Sequence, residues 1–319
     1  MINYLPEDFN MRVVTLKCVP FSDAQHSGEE TAKLIKDSLE EVRMPLENMV
    51  VYVTDNCLNS GKSTSNFGVN VNHQGCDAHI LNSIVQKFIQ WKSDGSQNSI
   101  DGVPEYFEYI SQTIGYLREY AKYFNTNTTL SNWLQKRLDN AGESPKKIPL
   151  DLATCRISTV STLKTGIIMR LHLVAFSSYI QTPEGRTAFV DYSKLVQITN
   201  EQWFELENVC KILERFDEAT LAMSGEKYPT WSLTLLILRM VKIHLMKFEV
   251  SKGYSQYAWF DHALSIVEAF RKELIKEFSA RFQEVQGSLL WIIQLDPRLT
   301  SNHRGQYRTF SFVRWLENI

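Results

Sequence analysis

Two textures divide this chain, and the change falls at Trp91. Before it, short β-rich runs alternate with helical patterns. Beyond it, long apolar periodicities of helical spacing follow one another with almost no strand signal. This order predicts an α/β unit followed by an α-helical body.

The first part reads in four steps. "MRVVTLKCVPF" (11–21) is β-rich, with Val13, Val14, Leu16 and Cys18 in it. "TAKLIKDSLEEV" places Ala32, Ile35, Leu39 and Val42 on one helical face, and Pro45 stops it. "MVVYVT" (49–54) is a short buried-strand run, so residues 11–20 and 49–54 are expected as neighbouring, parallel strands with helix 29–42 packed across them. Residues 56–75, rich in Asn, Gly and Ser, read as a loop. "CDAHILNSIVQKFIQW" then reads as a helix with Ala78, Leu81, Ile84, Val85 and Phe88 inward.

"KSDGSQNSIDG" has the composition of a linker. Helical patterns follow over 104–124, 129–140, 159–180, 200–223, 231–250 and 257–286, with Leu213, Phe216, Leu221, Leu235, Leu236 and Leu238 expected in the core. The expected segments are an α/β core over 1–92, a linker over 93–102, an all-α domain over 103–288 and a return segment toward the core over 289–319.

Composition narrows the function classes. A length of 319 residues fits two domains at roughly 150 residues each, and 44% hydrophobic content supplies a sizeable core. Net charge is −2, without the basic excess of a dedicated nucleic-acid-binding domain, so any DNA affinity must come from a local patch. The chain carries no apolar run of roughly 18 residues and no charged-then-apolar leader, so no membrane partner and an intracellular, non-secreted protein are expected. Its five cysteines are odd in number and widely spaced, which argues against a disulfide framework.

Three stretches could carry chemistry. Gly61-Lys62-Ser63 follows a strand, but a phosphate-binding loop needs a glycine at 56, where Asn stands, and a polar turn is the better reading. His73, Cys76 and His79 have H-x2-C-x2-H spacing, yet no fourth ligand lies nearby and Cys76 opens an apolar helix, so His79 is expected as a structural histidine and no metal is expected there. Asp55 ends a buried strand, where ligands and metals gather in α/β units; a turn-forming or capping Asp is the competing reading.

Five segments in order carry a resemblance. They are His26-Ser27-Gly28-Glu29 before a helix; Thr54-Asp55-Asn56-Cys57-Leu58-Asn59 at a strand end; Cys76, Ala78, His79, Leu81 and Asn82 at a helix start; "ILERFDEATLAMSGEKYPT" (212–230); and Leu295-Asp296-Pro297-Arg298. Together they resemble the hAT superfamily of DNA transposases and its domesticated relatives. The resemblance implies a ribonuclease-H-like α/β core interrupted by a large all-helical insertion, in the nucleus. It also implies two divalent ions held between three carboxylates, stabilising the attacking and leaving oxygens of a phosphoryl displacement.

Asp55 matches the second of those carboxylates, and Asn56, Asn59, Cys76, His79 and Asn82 match the motif around it. The first and third have no counterpart: Asp8 lies in a turn and Glu317 lacks the family's context. One carboxylate compensates a divalent ion poorly. Where the family has T-R-W-N-S-T, this chain has Thr154-Cys155-Arg156-Ile157-Ser158-Thr159, which keeps Arg156 as a DNA-binding candidate but lacks the indole implicated in stacking on DNA. No C-x2-C…H-x3–5-H finger occurs.

The expectation is therefore a truncated, transposase-derived, catalytically inactive nuclear protein associated with DNA or chromatin, with Asp55 the vestige of a dismantled site. No cofactor is expected, and Mg²⁺ would enter only if a complete site were assembled in trans. Two alternatives stay open: a scaffold that binds a protein partner or self-associates without DNA, and an enzyme completed by a second chain.

Overall fold

The computed structural model describes residues 2–4, 12–15, 27–49, 51–54, 63–69, 71–89, 105–150, 158–189, 195–224 and 231–282. Most of them are helical, with two small two-stranded sheets. The chain divides into two compact units. One takes Met1–His79, Leu221–Met240 and Ser279–Ile319, and the other takes Ile80–Thr220 and Val241–Phe278. The expected segments 1–92 and 103–288 do not coincide with these units, because residues 221–240 go with the α/β part. A helical pattern encodes a buried face and says nothing about which neighbour covers it. The expected linker 93–102 and return segment 289–319 lie outside the described residues.

In the first unit, β1 (Ile2–Tyr4) pairs antiparallel with β2 (Arg12–Val14) in the register Ile2↔Val14. Helix α1 (Gly28–Glu41) is capped by Ser27, whose hydroxyl accepts from the Glu30 amide at 3.2 Å, with Glu29 and Glu30 acidic in the first turn. β3 (Val51–Thr54) pairs in parallel with β4 (Asn72–Gly75), in the register Val51↔Asn72 to Thr54↔Gly75. Ala32, Phe67 and Val71 form the buried centre, with Ile35, Leu46, Met49, Tyr52 and Val69 packed against it. Helix α1 thus lies against β3 as its apolar face requires. Tyr52 is half-buried with its ring edge-on to Phe67, and Val53 points outward, as strand alternation demands.

Three expectations are corrected here. The described parallel partner of β3 is β4 and not the 11–20 strand, whose described partner is β1. Residues 72–75, expected as loop, are that partner. "NHQG" has no apolar alternation, and its strand form comes from backbone pairing with β3. Val42, expected inward, is the exposed C-cap of α1.

Helix α2 (Asp77–Ile89) follows β4 directly. Ala78, Leu81, Ile84, Val85 and Phe88 are all buried, the inward face read from the spacing.

The described helices beyond α2 are α3 (Glu105–Thr126), α4 (Thr128–Asn140), α5 (Ser158–Ile168), α6 (Arg170–Tyr179), α7 (Pro183–Ala188), α8 (Asn200–Met223), α9 (Trp231–Lys247) and α10 (Phe260–Arg281). The pattern 159–180 resolves into α5 and α6, broken at the buried Met169. Gly166 lets α5 approach α3: a Cβ there would stand 2.6 Å from the Leu117 methyls. Phe88, Phe107 and Phe270 cluster at centroid distances of 4.6–6.2 Å, with Phe88 stacked on Phe107 and edge-on to Phe270. Leu213, Phe216 and Leu238 are buried as expected, while Leu235 and Leu236 are half-buried. Leu221 is a correction: it is 52% exposed, because the covered arc of α8 excludes it.

Candidate functional site at the end of the parallel strand pair

The candidate site is where β3 and β4 end together. Parallel pairing aligns the two carboxyl ends, so Thr54 sits opposite Gly75. The Cys76 amide donates to the Thr54 carbonyl at 2.7 Å, extending the ladder by one bond. The Thr54 hydroxyl and His73 Nε2 lie 2.9 Å apart, and the Tyr52 and His73 rings are 6.0 Å apart. In this way the strand that runs into T-D-N and the helix start C-x-A-H-x-L-N, far apart in sequence, meet at one edge.

The side chains there differ in environment. Cys76 is half-buried and in no disulfide, and His73 is exposed. His79 is half-buried, and its Nδ1 is buried without a hydrogen-bond partner. Asn82 is half-buried on α2. Asp77, in the first turn of α2, is buried, and its Oδ1 has no hydrogen-bond partner. Burial pushes its carboxyl up to about 6, against the pull of a hydrogen bond from the Gln74 side chain. Asp55, Asn56, Asn59 and Arg156 lie outside the described residues.

Among the described residues no three His, Cys, Asp or Glu side chains are gathered to hold a metal ion. His73, Cys76 and His79 are therefore not such a group. One lies on an extended strand, one at a junction and one on a helix, so their even spacing in sequence does not converge in space.

Two buried acids escaped the sequence reading as features. Asp77 was masked by its neighbours in the C-x-A-H motif. Glu205, in the second unit, is 1% exposed, with neither carboxylate oxygen hydrogen-bonded. Desolvation first, and the Glu201 charge second, push it up to about 8. A signal was present: Glu205 falls in helical phase with Val209, Ile212 and Phe216, all buried.

Comparison with models of protein families finds no match to this chain, and comparison with curated proteins finds none either.

Proposed function

We propose that this chain is transposase-derived, with a ribonuclease-H-like core, and that it associates with DNA or chromatin in the nucleus without cutting DNA. The observation that carries the reading is the β3–β4 register. It brings the lead-in to T-D-N and the C-x-A-H helix start to one sheet end, the place where α/β units bind ligands. The order of the five motifs along the chain supports the same reading. One feature favours loss of cleavage: the stretch Thr154–Thr159 lacks the family's Trp. Mg²⁺ has a role only if a second chain completes the site.

The test is a salt series of duplex-DNA affinity for the purified chain, with a parallel incubation in Mg²⁺ or Mn²⁺. The expected result is binding that weakens with salt, with no nicking or strand joining. Metal-dependent cleavage, or the absence of duplex binding at low salt, overturns it.

A second reading, a scaffold for a protein partner or for self-association, is favoured by Ile168 and Leu171 at the α5–α6 junction. They are 63% and 79% exposed. Light scattering over a concentration series tests it, with Leu171→Ser as the variant expected to abolish any self-association.

A further inference from the structure

The segment between α9 and α10 carries an aromatic cluster that the reading above does not use. Tyr257 and Trp259 stack at 5.4 Å with an interplanar angle of only 9°. Tyr254 joins them at 5.9 Å from Trp259 and 6.3 Å from Tyr257. Tight turns hold the rings in place: Ser255 donates to the Lys252 carbonyl, Tyr257 to that of Tyr254 and Phe260 to that of Tyr257. Beneath them lies the buried Phe204, edge-on to Tyr254 at 5.5 Å and tilted to Trp259 at 5.7 Å.

The cluster is anchored on one side and open on the other. Tyr257 is 49% exposed, and Tyr254 and Trp259 are half-buried. A phenol ring left this open is not there for core packing, since the rings around Phe176 are packed from several sides. Lys252 is exposed in the same turn and Lys247 at the end of α9, with Glu249 exposed between them and Asp261 exposed just beyond Trp259. A parallel ring pair with a free outer face extends naturally by one more planar ring, and every nucleobase has such a face. A Pro-rich peptide needs a groove between separated rings. Here the rings touch one another and leave none.

We propose that Tyr254, Tyr257 and Trp259 form a stacking platform for an unpaired base of single-stranded DNA, with Lys252 positioned for the adjoining phosphate. This is a separate site from the strand ends, and it stands or falls independently of them.

The test is the anisotropy of a labelled short oligo(dT) titrated with the whole chain. Wild type is expected to bind. Tyr257→Ala is expected to weaken binding about 5- to 150-fold, the loss of one base–aromatic stack. Tyr257→Phe, which keeps the ring, is expected to bind within about twofold of wild type by the same reasoning. Lys252→Gln should flatten the salt dependence by about 0.7 in log–log slope. Circular dichroism on each variant confirms folding, and the exposed position of Tyr257 makes its truncation tolerable. The proposal is overturned if Tyr257→Ala binds as wild type does, if Tyr257→Phe loses as much as Tyr257→Ala, or if wild type binds a Pro-rich peptide and not oligo(dT). Any of these leaves duplex binding, measured separately, untouched.

Discussion

The Cys76 amide reaches the Thr54 carbonyl one step beyond the last paired residues of the β3–β4 ladder. That bond joins a strand end to a helix start across residues 55–75, and it depends on the Cys76 backbone and not on its thiol. Thr54 is buried, so its carbonyl has little access to water. Cys76→Pro removes the donor and is expected to cost about 1–3 kcal/mol in a urea titration. Cys76→Ala keeps the amide and is expected to cost clearly less. Equal losses in the two variants would show that the bond contributes nothing of its own.

Asp77 makes stability depend on pH in a defined direction. Its carboxyl is raised from 3.8 to about 6 by burial, so between those values the folded state keeps a proton that the unfolded state has lost. Stability from this group is fully present below the unfolded value and is lost as pH rises through about 6. The shift corresponds to at most about 3 kcal/mol, and its place in the first turn of α2 offsets roughly 0.3–1 kcal/mol. Asp77→Asn is therefore expected to raise the melting temperature at pH 7.5 and to change it little at pH 3.5. A lower melting temperature at pH 7.5 would show that the charged form is favoured in the fold.

Glu205 acts in the same direction over a wider window. Its carboxyl rises from 4.5 to about 8, and it faces the phenol of Tyr109 on α3, itself pushed up to about 12 by burial first and by the Glu205 charge next. The stability it contributes is present below about 4.5 and is lost as pH climbs through about 8. Glu205→Gln removes the ionisation. The variant is expected to gain on wild type steadily from pH 5 to pH 8.5 in urea midpoints, by several kcal/mol at most. Parallel pH profiles for the two proteins would mean that Glu205 ionises in the fold without cost.

Position along α8 decides the effect of truncating its apolar residues. Leu213 and Phe216 are buried, and Leu213→Ala or Phe216→Ala should cost about 2–5 kcal/mol. Leu221 is 52% exposed, and Leu221→Ala should stay within about 0.5 kcal/mol of wild type. Denaturant titration of the three variants checks the contrast.

Asp55→Asn bears on the proposed loss of cleavage. The substitution is expected to leave duplex-DNA affinity unchanged within about twofold, since a carboxylate supplies no phosphate contact to lose. A metal-dependent nicking activity in wild type that vanishes in this variant would show that a complete site is assembled, most simply with a second chain.

What the sequence determined by itself was the local, periodic part of the molecule. An amphipathic stripe needs only its own residues to be read, so the inward face of α2 (Ala78, Leu81, Ile84, Val85 and Phe88) and the helical run beyond residue 104 were legible. So was the meeting of the C-x-A-H motif with a helix start. Pairing was not legible, because backbone hydrogen bonds carry no side-chain signature: "NHQG" became a strand only through its register with Val51–Thr54. Solvent exposure of individual positions was likewise a tertiary decision. Leu221 was left outside and Glu205 sealed inside by which arcs of one helix its neighbours cover. At the strand ends, His73, Cys76 and His79 are evenly spaced in sequence. The turn from extended strand to helix separates them, since equal steps along a chain are not equal steps in space once the backbone changes its rise per residue.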